Sequence, residues 1–194
     1  ADAMAQAGAN VCIWGTNADK NASALEQLST HGTEVAAMIC DVSEEAQVEG
    51  RFAETIERFG NLHGVFANAG VSGGREQVPF TEMTTERWRQ IVGINLDGAF
   101  FTFRAAARHM VEHGEGGRIA GTASLAAISG AARNEHYAAT KGGMVSMIYA
   151  MSVELARYGI TVNAILPGWI ETAMTERAFN WEKFAGNVMP RIPH

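Results

Sequence analysis

The chain has 194 residues, of which 47% are hydrophobic and 19% are charged, enough apolar material for one substantial core. Its net charge of -6 comes from 21 acidic and 15 basic residues without a basic run, which argues against nucleic acid as a partner. No apolar stretch approaches the roughly 20 residues that cross a bilayer, so no membrane partner is expected. We expect a single soluble domain over residues 1–194.

The two cysteines predict the cell compartment. Cys12 and Cys40 each lie within an apolar run, and neither belongs to a C-x-x-C pair. Buried free thiols are therefore favoured over a disulfide or a metal site. The first residues also lack the charged start and apolar block of a signal peptide. Together these features predict a cytoplasmic protein.

Apolar runs of the β type alternate with stretches of helical period, which predicts an α/β fold with a parallel sheet and crossover helices. Five strands are predicted, at Asn10–Trp14, Glu34–Cys40, His63–Ala67, from the glycine-rich turn 114–117 to Ala123, and at Thr161–Leu166. Helices are predicted between them, at Ala18–Thr30, Ser43–Phe59, Thr84–Asn95, Gly98–His113 and His136–Tyr158.

Three details of this pattern are open to test. Ser43 is followed by two glutamates, so we expect it to cap the N-terminus of its helix. The pair of helices before residue 114 is expected to break near Asn95. Residues 169–190 show no clean period and are rich in aromatic side chains and methionine. They are either a flap on the substrate side or a packing surface for another segment or subunit.

The strongest chemical signal is the segment Tyr137-Ala-Ala-Thr-Lys141, because residues four apart share one face of a helix. An ammonium beside a phenol favours the phenolate. A tyrosine ordinarily ionises near pH 10, so exchanging protons near neutrality requires a nearby cation and a dry pocket. Tyr137 is thus a candidate acid or base.

Polar residues also end the predicted strands, where open α/β sheets bind their ligands. Ser124 follows the fourth strand, and the segment Asn68-Ala69-Gly70 follows the third. Asn95 interrupts a helix, where a freed carbonyl could hold a water. Taken singly, Ser124 is equally explained as a helix cap, residues 68–70 as a turn and Asn95 as a helix break.

Taken together and in this order, Asn68-Ala69-Gly70, Ser124, Tyr137-x-x-x-Lys141 and Pro167-Gly168 resemble the short-chain dehydrogenase/reductase family. The resemblance covers essentially the whole chain. It implies a Rossmann-type doubly wound parallel sheet and hydride transfer between NAD(P)(H) and a carbonyl or secondary alcohol of a small molecule. It implies no metal ion.

The resemblance also assigns site residues. The catalytic set would be Asn95, Ser124, Tyr137 and Lys141. The residues that bind or border the cofactor would be Thr16, Asp41, Val42, Asn68, Ala69, Gly70, Tyr137, Lys141, Pro167, Gly168, Ile170 and Thr172. Tyr137 would be the general acid or base, and Ser124 would bond the substrate oxygen. Lys141 would hold the ribose hydroxyls, and Asn95 would hold a water that links Lys141 to solvent.

The sequence departs from the family at both ends. The family begins with a strand and a Thr-Gly-x-x-x-Gly-x-Gly loop that cradles the pyrophosphate, and these 194 residues contain no such loop. That strand would lie between those at Asn10–Trp14 and His63–Ala67. The family's last strand would lie beyond His194. We therefore expect further residues before Ala1 and after His194.

The choice between NAD and NADP normally depends on the residue after the second strand of the family, here the segment around Thr16. A carboxylate there would accept the ribose hydroxyls, and an arginine would pair with a 2′-phosphate. The segment has neither, and the lack of a carboxylate slightly favours NADP. The substrate pocket is expected to include Ser72, Ser129, Asn134, Trp169 and the segment after Thr172. The aromatic and methionine content of that segment suggests a bulky or apolar carbonyl compound.

Two other functions compete with the oxidoreductase. A non-catalytic scaffold or sensor of the same fold would bind a dinucleotide without turning it over. A zinc protease is suggested by His109-x-x-Glu112-His113, although this segment ends a helix, where histidines are favourable anyway. By resemblance, we expect a homotetramer or homodimer formed through the long helices at 98–113 and 136–158.

Overall fold

The computed structural model describes residues 1–73, 78–172 and 175–191. Its strands are β1 Val11–Gly15, β2 Val35–Ile39, β3 Gly64–Ala67, β4 Gly117–Thr122 and β5 Ile160–Ile165. Its α-helices are α1 Asp2–Gln6, α2 Ala18–Ser29, α3 Glu45–Phe59, α4 Thr85–Val92, α5 Gly98–His113, α6 Ala126–Ser129, α7 Glu135–Leu155, α8 Glu176–Phe179 and α9 Glu182–Val188. The five predicted strands are confirmed to within one residue at each defined end.

All observed strand pairs are parallel. β1 pairs with β2, with Val11 aligned to Val35, and β3, β4 and β5 pair in that order. No strand within the described ranges pairs with the second edge of β1 or of β3. The sheet is therefore divided in two at the position where the family resemblance expects a central strand.

Helices cover both faces of the β1–β2 pair. Val11 and Ile13 pack into a cluster with Ala5 of α1 and Leu28 of α2. The intervening Cys12 lies on the opposite face of its strand. There the hydroxyl of Thr55 in α3 donates to Cys12 Sγ at 3.4 Å. This two-sided packing is the doubly wound arrangement that the family resemblance implies.

The main core lies where α3, α5 and α7 pack with β3, β4 and β5. Phe103, Met110, Ile119 and Met144 are almost completely buried in it. Gly121 of β4 permits this close approach, because a Cβ there would lie 2.8 Å from Ile148 Cδ1. The packing holds α7, which carries Tyr137 and Lys141, against β4.

The expected cap at Ser43 is wrong. Helix α3 begins at Glu45, and Glu44 at its N-cap makes no side-chain cap bond. The Ser43 hydroxyl instead donates to Asp41 Oδ1 at 2.7 Å, and the Ser43 backbone N–H donates to the same oxygen at 3.0 Å. The local bond to an aspartate two residues earlier competes successfully with the cap.

The expected break near Asn95 is also corrected. A π-helical turn, Gly93–Asp97, joins α4 to α5 without interruption. Such a turn inserts one extra residue into a helix, and π turns occur frequently at functional sites. Asn95 is completely buried within it.

Two further sequence expectations concern the cysteines and the membrane. Cys12 and Cys40 are free thiols, and Cys40 is buried while Cys12 is partly exposed. Burial raises the pKa of the Cys40 thiol. Within the described part of the chain, no helix combines the length and apolarity needed to traverse a bilayer.

Two glycine-to-alanine substitutions should change stability in opposite directions. Gly121→Ala should lower the free energy of unfolding by about 1–3 kcal/mol, because its methyl group would overlap Ile148 and Phe103. Gly50→Ala should raise it by about 0.5–1 kcal/mol, because Gly50 lies inside α3 with open space around it. Urea unfolding measures both changes, and equal effects would contradict the packing described for β4.

Candidate active site

The candidate site lies at the carboxyl ends of β3, β4 and β5. Backbone bonds tie the segments that follow two of these strands. Ala123 N donates to Ile165 O at 2.8 Å, and Leu125 N donates to Pro167 O at 2.9 Å. The loops that contain Ser124 and Pro167 are thus held side by side, at the edge where ligands bind in open parallel sheets.

Lys141 lies at the centre of this edge. Its ammonium donates to the carbonyl oxygen of Thr122, the last residue of β4, at 2.7 Å. The side chain is buried, and a Cβ at Gly70 would come within 3.4 Å of Nζ. Nζ lies 5.7 Å from the centre of the Tyr137 ring. The predicted Tyr-x-x-x-Lys pair therefore shares one face of α7.

Burial lowers the pKa of Lys141 to about 8. The cause is the loss of water around the ammonium, which destabilises its charged form. Because this pKa remains above 7, Lys141 is still mainly a cation at neutral pH. A cation next to a phenol is the condition that the sequence required for proton exchange by Tyr137.

Asn95 is held by a reciprocal pair of hydrogen bonds with the loop after β3. Val71 N donates to Asn95 Oδ1, and Asn95 Nδ2 donates to Val71 O, both at 2.8 Å. A Cβ at Gly70 would lie 3.2 Å from Asn95 Oδ1. The π-helical turn therefore places Asn95 beside Gly70 and close to Lys141. Its expected role in holding a water stays a prediction.

Thr140 is a structural partner that the sequence reasoning missed. Its hydroxyl donates to the carbonyl oxygen of Tyr137 at 2.8 Å. It also accepts from Asn95 Nδ2 at 3.3 Å. Thr140 directly precedes Lys141 and is buried. The sequence signal that could have identified it is a hydroxyl residue within the Tyr-x-x-x-Lys segment.

Ser124 and Tyr137 are both half-buried. Ser124 Oγ accepts from Ala126 N at 3.2 Å, so it does cap the turn into α6, as the simpler interpretation expects. A hydroxyl that accepts one bond keeps its own hydrogen for donation. The capping role is therefore compatible with a bond from Ser124 to a substrate oxygen.

The residues expected near the adenosine lie after β1 and β2. Thr16 is exposed at the end of β1, and the Asp41 carboxylate is bound to Ser43. Val42 packs against the start of α5, since a Cβ at Gly98 would lie 2.8 Å from Val42 Cγ2. Val42 therefore lies beside the helix that continues from Asn95.

The segment after β5 carries the other expected cofactor residues. Gly168, Ile170 and Thr172 are exposed, and Pro167 is half-buried. Thr172 N donates to Thr175 Oγ1 at 3.0 Å, which closes a turn before α8. Residues 173 and 174, part of the expected substrate-side segment, lie outside the described residues.

The expected substrate-pocket residues are not gathered into one place. A cleft of about 870 Å³ lies between the loop after β3 and α4, and Ser72 lines it. Asn134 Oδ1 accepts from Gly73 N at 3.1 Å beside this loop. Ser129 is exposed and bonds within α6. The Trp169 ring instead packs edge-on against Phe179 at 6.4 Å.

The residues present fit the nicotinamide riboside half of a dinucleotide. An ammonium has three hydrogens, and Lys141 makes one hydrogen bond among the described residues. Two donors therefore remain for neighbouring ligand oxygens such as ribose hydroxyls. Gly70, without a side chain, keeps space open beside Nζ. The pyrophosphate half has no glycine-rich counterpart in the printed sequence.

The histidines of the zinc-protease pattern have other partners. His109 Nε2 lies 2.9 Å from Asn61 Oδ1, and the His109 and His113 rings stack at 5.5 Å. Burial and the nearby His113 lower the pKa of His109. In the ranges that the structure describes, no group of three histidine, cysteine, aspartate or glutamate residues could hold a metal ion.

Comparison with known proteins identifies the family. A family model described as "Enoyl-(Acyl carrier protein) reductase" matches residues 1–194. L-rhamnose-1-dehydrogenase of Scheffersomyces stipitis is 44% identical over 138 residues, which cover 71% of this chain and 52% of that protein. L-rhamnose 1-dehydrogenase (NAD(P)(+)) of Azotobacter vinelandii is 34% identical over 193 residues, covering 97% of this chain and 74% of that protein.

A solved structure gives the same assignment. A short-chain type dehydrogenase/reductase from Mycobacterium ulcerans superposes with a TM-score of 0.93 at 28% identity. The match covers 100% of this chain and 70% of that one. The chain thus spans about half the length of the first rhamnose dehydrogenase and about three quarters of the second. The fold, the motif order and these matches show that this chain belongs to the short-chain dehydrogenase/reductase family.

Proposed function

We propose that this chain transfers a hydride between NAD(P)(H) and a carbonyl or secondary alcohol of a small molecule. The observation that carries the proposal is the buried Lys141 ammonium, bound to Thr122 O beside the Tyr137 ring, with two donors left for a ligand. The two rhamnose relatives are named as dehydrogenases, and one name includes NAD(P)(+). These names support an oxidoreductase.

Tyr137 is the proposed acid and base. In reduction its hydroxyl gives a proton to the carbonyl oxygen, and in oxidation the phenolate takes the proton of the substrate hydroxyl. Lys141 acts beside it, with Nζ 5.7 Å from the centre of the Tyr137 ring. Ser124 donates a hydrogen bond to the same substrate oxygen as negative charge develops there.

A nicotinamide held at this site would supply or accept the hydride. Lys141 would hold the ribose hydroxyls with its two remaining N–H groups, and Asn95 would hold a water that connects Lys141 to solvent. The remaining proposed cofactor contacts are at the strand ends, with Thr16, Asp41, Val42, Asn68, Ala69, Gly70, Pro167, Gly168, Ile170 and Thr172.

NADP is the proposed preferred cofactor. The exposed Thr16 at the end of β1 presents no carboxylate that would repel a 2′-phosphate, and the first acidic side chain after it is Asp19 in α2. The proposed substrate is a bulky or apolar carbonyl compound. Exposed apolar side chains at Ile128, Trp169 and Ile170 near the carboxyl ends of β4 and β5 support this class.

The proposal includes the setting of the site. One domain spans residues 1–194, with residues 169–190 as the substrate-side flap, in a cytoplasmic protein. Two or four copies associate through α5 and α7. Tyr149 and Val153 of α7 are 70% and 82% exposed, which supports packing against a second copy.

Cofactor titration tests the proposal most directly. The protein has four tryptophans, so NADPH or NADH binding should quench their fluorescence and transfer energy to the reduced nicotinamide. We expect saturable binding of both, tighter for NADPH. The failure of a folded protein to bind either one would contradict the proposal.

Tyr137→Phe should remove turnover and leave cofactor affinity nearly unchanged, since only the proton donor is lost. The expected fall in kcat is about 10²–10⁴-fold, measured as NADPH oxidation with a panel of cyclic, aromatic and sugar-derived carbonyl compounds. Tyr158→Phe is the matched control, because Tyr158 lies exposed directly after the same helix. Dinucleotide binding without turnover of any compound by the wild type would favour the scaffold or sensor.

Lys141→Met should stabilise the cofactor-free protein at pH 7 while weakening cofactor binding. The folded state holds Lys141 with a pKa of about 8 against 10.5 in the unfolded chain. Its charge therefore opposes folding fully below pH 8 and progressively less between pH 8 and pH 10.5. The advantage of the variant should shrink by about 3 kcal/mol between pH 7 and pH 10.5. Urea unfolding measures it, with the exposed Lys20→Met as control. A difference in the free energy of unfolding that does not change with pH would show that Lys141 is not buried as a cation.

A further inference from the structure

The first turn of α7 is capped in an unusual way. The first backbone N–H groups of a helix have no partner within it, and an asparagine at the N-cap commonly accepts from one of them. Asn134 occupies the N-cap of α7 but makes no such bond. Its Oδ1 accepts instead from Gly73 N, at 3.1 Å, in the loop after β3. The N–H groups of this turn therefore need another acceptor.

His136 provides that acceptor for Tyr137. The backbone N–H of Tyr137 donates to His136 Nδ1 at 2.9 Å. Because Nδ1 accepts, the neutral ring carries its hydrogen on Nε2. The imidazole is 1% exposed, and Nε2 has no hydrogen-bond partner in the structure as described. A histidine imidazole, and not the usual asparagine, thus caps the turn that carries Tyr137.

The ring is enclosed by three segments. A Cβ at Gly73 would lie 2.9 Å from His136 Cε1, so the loop contacts the ring edge. Arg87 of α4 donates to Gly73 O. Among the residues that the structure describes, the charged groups that act on the ring are Arg87 from α4 and Glu135 from its own helix. Burial lowers the pKa of His136, a backbone hydrogen bond with Asn134 opposes this shift, and Arg87 adds a smaller lowering.

We propose that His136 is a positioning residue that acts as a titratable cap: its neutral ring holds the first turn of α7 and hence Tyr137, and its protonation releases that turn. The proposal rests on the proposed role of Tyr137. It adds a proton-controlled step that acts on the backbone of Tyr137 and touches no substrate.

The physical reason lies in the lone pair of Nδ1. A protonated imidazole has a hydrogen on both nitrogens and accepts nothing, so the bond from Tyr137 N is lost. The new cation would also lie at a helix N-terminus, where the helix dipole disfavours positive charge, and close to Arg87. Charging His136 therefore requires the turn or the Gly73 loop to move.

NMR of tyrosine labelled with ¹³C at Cζ tests the proposal without a substrate. The three tyrosines are assigned with Tyr149→Phe and Tyr158→Phe, and spectra are recorded from pH 4.5 to 8. We expect the Tyr137 signal to show an inflection below pH 6.5 that coincides with the titration of His136, followed by ¹⁵N-labelled imidazole.

Two substitutions at His136 separate the cap from simple packing. Asn has an oxygen where histidine has Nδ1, and it does not titrate. His136→Asn should therefore show, at every pH, the Tyr137 chemical shift that the wild type has at pH 8, without the inflection. His136→Leu fills similar space without an acceptor, so its Tyr137 signal should be displaced at every pH. Ala139→His is the control, because it adds a histidine at an exposed position of the same helix and should add no inflection.

The opposite results would overturn the cap. An inflection that persists in His136→Asn, or identical spectra for the Asn and Leu variants, would show that packing alone matters. If the Asn variant does not fold, the ¹⁵N spectrum of the wild-type imidazole tests the proposal. A hydrogen on Nδ1 at pH 8 contradicts it. A hydrogen on Nε2, with a titration that the Tyr137 signal shares, supports it. Activity retained by Tyr137→Phe would instead refute the proposed function and leave these spectra unchanged.

Discussion

The bond from the Lys141 ammonium to Thr122 O is the contact on which the candidate site depends. It joins the longest helix to the end of β4 and buries a positive charge between them. That burial is unfavourable by itself, which is why the pKa of Lys141 falls. Apolar packing of α5 and α7 on β4 holds the charge in place, so the core stabilises an arrangement that the lysine alone would not adopt.

Asn95 connects this bond to the neighbouring strand. The π-helical turn directs its carboxamide into the loop after β3, where it bonds both the N–H and the carbonyl oxygen of Val71. Thr140 completes the connection by bonding both Asn95 and Tyr137. Three elements that are distant in sequence thereby share one continuous set of hydrogen bonds around the candidate site.

The sequence predicted the strands well, because apolar runs bounded by glycine and polar turns leave little freedom in their placement. It also predicted that Tyr137 and Lys141 share a helix face, since helical spacing alone determines this. It could not predict which acceptor a polar side chain would choose. Ser43 and Asn134 have typical capping chemistry, but each bonds elsewhere because Asp41 and Gly73 are brought close by the fold. Nor does residue type distinguish a π turn from a helix break at Asn95.

Gly73 is held from two sides, with its N–H bound to Asn134 and its carbonyl oxygen bound to Arg87. The path from β3 to this residue therefore has a fixed length, set by α7 on one side and α4 on the other. Relatives of this chain can gain or lose residues in the connection to α4 only beyond Gly73 without disturbing the loop that carries Gly70 and Val71. Variation in loop length among homologues should accordingly begin after Gly73. The six residues 68–73, between the end of β3 and that point, should keep a constant number.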